Sequence, residues 1–169
     1  MGATATIEGS IADLGNQQYV LGLNAVNCET GETIAREQVT ADGKAKVIEA
    51  LGDAASRLRR KLGESRDSLA IYDVPLVQCT TSSLEALQAF SRAEKSFCEL
   101  NFSSVMSLCE RAISLDPGFA MPFALLGSLQ TIFGQLDQGL ENIKKAYALR
   151  DRVTHDEKYA ISALRSACS

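Results

Sequence analysis

Apolar and polar positions alternate with a period of two at the start of the chain, and with a helical period after it. Over 3–12, Ala5, Ile7, Gly9 and Ile11 fall on one side and Thr4, Thr6, Glu8 and Ser10 on the other, which predicts a strand with one buried face. A turn at Asp13-Leu14-Gly15-Asn16 leads to a second alternation, with Tyr19, Leu21, Leu23 and Ala25 against Val20, Gly22, Asn24 and Val26. Glu29-Thr30-Gly31-Glu32 then turns the chain into a third strand over 33–40, completing an antiparallel meander. The period changes at 43–62, where Val47, Ile48, Leu51, Ala54, Ala55, Leu58 and Leu62 form a single apolar stripe ended by Gly63. Asp53 and Arg57 are spaced as an i,i+4 pair, and Arg57, Arg59, Arg60 and Lys61 complement the carbonyl end of this helix.

Three strands and one helix bury little on their own, and the first strand begins directly after the initial residues. Residues 1–65 are therefore expected to be part of a larger α/β domain. Residues 66–81 are less periodic, and Pro75 disfavours helix before it. Leu69, Ile71, Tyr72, Val74 and Leu76 are too apolar for a free tether, so this stretch is expected to be a packed linker.

Over 82–169 the helical period dominates. Ser82 with Glu85 has the spacing of a capping box, opening a helix to about 100. Further helices are expected over 103–115, stopped by Asp116-Pro117-Gly118, and over 120–133, with Pro122 in its first turn and Gly134 at its end. Two more follow over 137–150 and from a Thr154/Glu157 capping box to the end. The pattern also repeats after 34 residues, with 86–119 laying Ala86 on Ala120, Ala112 on Ala146 and Leu115 on Leu149. Cys109/Ile143, Phe102/Leu136 and Leu87/Met121 meet likewise. Such a period marks stacked helical pairs, each unable to bury its apolar face alone. The fold class expected is α+β: a small meander plus helix, followed by an all-α array of hairpins.

Composition narrows the function. At 46% hydrophobic and 22% charged, the 169-residue chain has the makeup of a globular protein. A net charge of −4 argues against a nucleic-acid partner, which needs a basic face. No apolar run reaches membrane-spanning length and no signal peptide is evident, so a cytoplasmic location is expected. The five cysteines form no C-x-x-C pair, and His155 is the only histidine, so neither a metal site nor a cofactor is expected. No arrangement of nucleophile, base and oxyanion donors points to an enzyme.

The helical half resembles the tetratricopeptide repeat. Counting from Ala120, Phe123, Leu126-Gly127, Gly134, Ile143 and Ala146 stand where that family places its signature residues, with Gly139 in place of an alanine. Counting from Ala86, Ala112, Leu115 and Asp116-Pro117 are kept, whereas Ala93 and Leu100 replace glycines. The resemblance implies repeats at 86–119 and 120–153, a partial one at 154–169, and close helix packing at Ala112, Phe123, Gly127, Gly134 and Ala146. It implies that the first helix of each repeat lines a groove, through Leu87, Phe90, Glu94, Phe97 and Cys98, then Met121, Ala124, Ser128, Thr131 and Ile132. Members that clamp a carboxyl-terminal tail use lysine and asparagine where this chain has Phe90/Glu94 and Ala124/Ser128. The groove implied here is apolar and suits a protein or peptide segment. Ile161, Ala163 and Leu164 leave the last helix without a polar cap, which implies self-association through it or a continuing array.

Ile7-Glu8-Gly9-Ser10-Ile11, the Tyr19, Leu21, Leu23 alternation and Thr30-Gly31-Glu32 resemble the end of the TolB amino-terminal-like domain of bacterial multidomain proteins. In that group a serine/threonine kinase or winged-helix DNA-binding domain often precedes both pieces. No kinase glycine loop, H-R-D, D-F-G or P-loop is present here. The resemblance thus implies a non-catalytic scaffold module, or alternatively the regulatory tail of a kinase or transcriptional regulator.

Overall fold

The computed structural model describes residues 3–72, 75–76 and 80–167. The fold is α+β, with a three-stranded antiparallel sheet followed by helices, and the chain divides into two compact units, Met1–Leu76 and Val77–Ser169.

In the first unit β1 (Ala5–Gly15), β2 (Gln18–Asn27) and β3 (Thr33–Asp42) pair in sequence order. Asn16 and Gln17 make the first turn, both with positive φ, so the strands run longer than the alternation predicts. At the second turn the Asn27 side chain accepts the Glu29 and Thr30 amides at 2.8 and 3.1 Å, and Gly31 takes positive φ. A 3-10 turn at Lys44–Lys46 leads into α1 (Val47–Lys61).

Helix α1 lies on β2 and β3, packing Ala54 and Leu58 against Leu23, Ala25 and Ala35. The apolar stripe is as expected except at Leu62, which falls past the helix end and stays exposed. Gly63 supplies the positive φ that lets the Glu64 amide reach back to Arg59 O at 3.1 Å. Lys61 anchors this end to β3 through Glu37, at 2.7 Å, and the Arg36 carbonyl, at 2.9 Å. Asp53 and Arg57 form no ion pair, so that expected contact is absent.

The buried face expected of β1 is not buried. Register pairs Ile7 with Ala25 and Ile11 with Leu21, placing both isoleucines on the face that α1 covers. They are nonetheless 53% and 54% exposed. One helix is about 10 Å across and strands are about 4.8 Å apart, so α1 covers two strands and stops short of the third.

Residues Arg66–Tyr72, expected as linker, form a short helix, α2. Ser65 caps it by accepting the Ser68 amide, and Leu69 is buried. Of the other linker residues, Val74 lies outside the described residues, as do the side chains of Ile71 and Tyr72. Leu76 packs 3.5 Å from where a Cβ on Gly52 would stand.

The second unit contains α3 (Leu84–Cys98), α4 (Phe102–Leu115), α5 (Ala120–Ile132), α6 (Leu136–Ala148) and α7 (His155–Ala167), with a 3-10 turn at Arg150–Arg152. The expected Ser82/Glu85 box is displaced by one residue. Ser83 is the cap, accepting the Ala86 amide at 3.1 Å, while buried Thr81 accepts the Ser83 amide and donates to Asp116 at 2.5 Å. Asp116 also accepts the Gly118 amide, so one carboxylate ties the start of α3 to the α4–α5 turn. The Thr154/Glu157 box forms as expected.

Helices α3/α4 and α5/α6 pack as antiparallel hairpins. One core joins α3, α4 and α5 around Phe90, Val105, Cys109, Ala112 and Phe119. A second joins α5, α6 and α7 around Phe123, Ala124, Ala146 and Ile161. The two turns share a geometry 34 residues apart. Gly134 has φ +82 and Leu100 φ +58, and the next amide reaches back to Gln130 O or Ser96 O in each case.

Candidate protein-binding groove

Of the residues expected to pack closely, Ala112, Phe123, Gly127 and Ala146 are buried, whereas Gly134 is exposed, and a Cβ there would meet nothing within 4 Å; its positive φ, not close packing, favours glycine. A Cβ on Gly127 would lie 2.8 Å from Gly139 O and 2.9 Å from Ile143 Cγ1. Gly139 shows why it departs from the family's alanine, since its Cβ would stand 2.9 Å from both Gly127 O and Thr131 N. Glycine on both helices lets α5 and α6 approach closely. Nearby, buried Gln130 accepts from Asn142 at 2.7 Å, fixing their alignment.

The ten positions implied as groove lining separate into three sets, the same in both hairpins. Phe90 and its counterpart Ala124 are buried, so neither lines an open surface. Phe90 packs edge-on against Phe119, with ring centres 5.1 Å apart. Ala124 is covered because α7 leans on α5 and sets Ile161 into the same core. Phe97 and Thr131 turn toward the hairpin partner instead. The Phe97 ring meets Phe102 at 6.0 Å, and Thr131, donating to Gly127 O, lies against Gly139. Six positions remain at groove spacing: Leu87, Glu94 and Cys98 on α3, and Met121, Ser128 and Ile132 on α5. Leu87, Met121 and Ser128 are half-buried; Glu94 and Cys98 are exposed, and Ile132 is 73% exposed.

The sequence gives no hint that Glu157 belongs with them. Its visible role is to cap α7, yet its charge is felt at Glu94. Partial burial of the Glu94 carboxyl raises its pKa, and the Glu157 charge raises it further. Beyond the groove, Phe102 links Phe97 to Phe133 in a ridge of edge-to-face rings, the second contact at 5.6 Å. Phe133, Leu100 and Leu136 leave that end of the hairpins apolar and exposed.

The last helix offers less apolar surface than expected. Ile161 is buried and Leu164 packs beside it, so only Ala163 of the three faces outward. Of the described cysteines, Cys28 and Cys98 are exposed free thiols and Cys109 is buried, its pKa pushed up to about 12 chiefly by burial. Among the described residues, no group of three His, Cys, Asp or Glu is placed to hold a metal ion, and no helix is long and apolar enough to cross a membrane. Comparison with family models, curated proteins and solved structures gives no match for this chain.

Proposed function

We propose that the second unit is a non-catalytic interaction module of tetratricopeptide type, taking a peptide or protein segment in the groove between α3, α5 and α7. The observation that carries this reading is the split among equivalent positions. One position per repeat is buried and one faces the hairpin partner, yet Ile132, Cys98, Glu94 and Ser128 stay accessible beside Leu87 and Met121. Exposed Ile132 at the same spacing as half-buried Leu87 and Met121 supports a surface open to a partner, since a run of apolar side chains along one face, unlike a single one, favours binding. The cytoplasm is the compartment that suits this role and the three free cysteines among the described residues.

The test is to pan a random twelve-residue peptide display library on the full chain. Ser128→Tyr fills the groove floor without adding charge, and circular dichroism checks that its helices are intact. Enriched peptides should lose at least about tenfold in affinity for this variant. Peptides that bind both proteins equally, or no enrichment at all, would sink the reading.

A further inference from the structure

The sheet of the first unit has two edges, and the fold treats them differently. At β3 the edge is closed by charge. The Gly43 amide donates to Gln17 O at 2.7 Å, so odd-numbered residues of β2 and β3 bond to one another across this ladder. Arg36, Gln38 and Thr40 therefore turn their main-chain groups outward. Lys61 donates to the outward Arg36 carbonyl at 2.9 Å and pairs with Glu37, which sets a cation against that edge. The exposed Arg36 and Asp42 side chains add to it.

Nothing comparable guards β1. The Cys28 amide donates to Thr4 O at 3.2 Å, so even-numbered residues of β1 bond to β2. Ala5, Ile7, Gly9, Ile11 and Asp13 thus turn their main-chain groups to the other side, where no strand pairs with β1 among the described residues. From Ala5 to Ala12 the strand has no proline or lysine, Glu8 is its one charge, and its register is unbroken as far as Asp13. A long, flat edge of this kind templates another strand.

We propose that two copies of this chain pair through β1, antiparallel about a two-fold axis at Gly9, joining their sheets into one. The strand is complementary to itself in that register. Ile7 of one copy stands opposite Ile11 of the other, Glu8 opposite Ser10, and Thr6 opposite Ala12. Centring the axis on Glu8 would set two glutamates face to face, and centring it on Ser10 would set Ile7 against Asp13. About ten main-chain hydrogen bonds form along the seam. Both α1 helices lie on one face of the joined sheet, with the two isoleucine pairs between them. The contact is small, so a dissociation constant of about 1–100 μM is expected. At lower concentration the chain is a monomer with both isoleucines in water. The inference is independent of the groove.

Analytical ultracentrifugation of the full chain from about 1 to 500 μM reads the association. Ile7→Lys with Ile11→Lys puts like charges opposite one another across the seam and should keep the chain monomeric. Ile7→Lys with Ile11→Glu puts opposite charges there and should associate at least about tenfold more tightly than the double lysine variant. Circular dichroism checks that both variants are folded. A second readout needs no variant. At about 500 μM the Ile7, Gly9 and Ile11 amides should exchange with solvent about threefold or more slower than at about 5 μM, while those of Thr6, Glu8 and Ser10, already bonded to β2, should not change.

A native chain that stays monomeric to about 500 μM overturns the proposal. So does a dimer that persists in the double lysine variant, or failure of Ile11→Glu to recover association. Exchange of the Ile7, Gly9 and Ile11 amides that is indifferent to concentration overturns it as well, and decides alone should the double lysine variant not fold.

Discussion

Leu100 and Gly134 occupy the same left-handed backbone position one repeat apart, and only one of them is suited to it. A side chain in that conformation costs about 1–2 kcal/mol, partly offset by the extra freedom glycine has when unfolded. Leu100 is 70% exposed, so little packing is lost with it. Leu100→Gly should therefore stabilise the second unit by about 1 kcal/mol, seen as a higher thermal midpoint; a lower one would refute the assignment. Gly127 and Gly139 behave in the opposite sense. Alanine inside a helix ordinarily gains about 0.5–1 kcal/mol over glycine. Here the added methyl meets backbone atoms at 2.8–3.0 Å, which cannot move aside without separating α5 from α6. Overpacking of this kind costs about 1–3 kcal/mol, so Gly127→Ala and Gly139→Ala should each lower denaturant stability despite restoring the commoner helix former. Glu94 is a residue whose ionised form costs stability. Its folded pKa is raised, so its ionised form disfavours the fold above that pKa and the effect vanishes below the unfolded value. Glu94→Gln should raise the melting temperature at pH 7 and leave it unchanged near pH 3. An unchanged midpoint at pH 7 would show that the carboxylate is not strained by its surroundings.

Among the elements, the buried face of α1 was legible from its stripe and its Gly63 stop, because one face meets one sheet, but its start was not, a 3-10 turn at Lys44–Lys46 preceding it. Helix α2 was not, since seven residues give too few turns for a period to show and Pro75 follows closely. Its start is instead held by local hydrogen bonds. Glu64 accepts both Arg59 nitrogens, at 2.5 and 2.6 Å, and the Ser68 hydroxyl at 2.6 Å, joining the end of α1 to the start of α2. The Arg59 hydrogen bonds, followed by that of Ser68, hold its carboxyl below the usual range. A depressed acid contributes stability above its unfolded pKa and loses it as pH falls through the folded one. Glu64→Gln should accordingly reduce the pH dependence of first-unit melting below about pH 4.5, the ordinary value for glutamate, with little change in slope above it. Helical spacing puts Leu87, Glu94 and Cys98, and Met121, Ser128 and Ile132, at matching positions along α3 and α5, while the burial of Phe90 and Ala124 depends on Phe119 and on Ile161 of α7. No periodicity within one helix carries either fact. The influence of Glu157 on Glu94 is likewise invisible to a periodicity within either helix, since only its local capping role shows in the sequence.

Across the molecule, the two units differ in how completely they close on themselves. The second unit has two cores sharing α5, with the rings of Phe97, Phe102 and Phe133 forming a ridge along one end of the hairpins. The first has a single small core beneath α1, and β1 contributes none of its residues. Alternation along β1 is as regular as along β2, so the sequence could not distinguish a covered strand from an uncovered one. Coverage depends on how many helices reach the sheet. The difference is measurable within one face, because Ile7, Ile11 and Leu23 all point to the side that α1 occupies. Leu23 lies under the helix, and Leu23→Ala should cost about 2–5 kcal/mol by removing buried methyl groups and leaving a cavity. Ile7→Ser with Ile11→Ser removes more apolar surface but takes it from positions already in water, so the pair should shift stability by no more than about 0.5 kcal/mol per site. Denaturant melts of the full chain compare the two directly. Should the isoleucine pair prove as costly as Leu23→Ala, β1 must be covered in solution, by a second copy or by more of the polypeptide. Its open face would then be a contact surface and not an edge left to solvent.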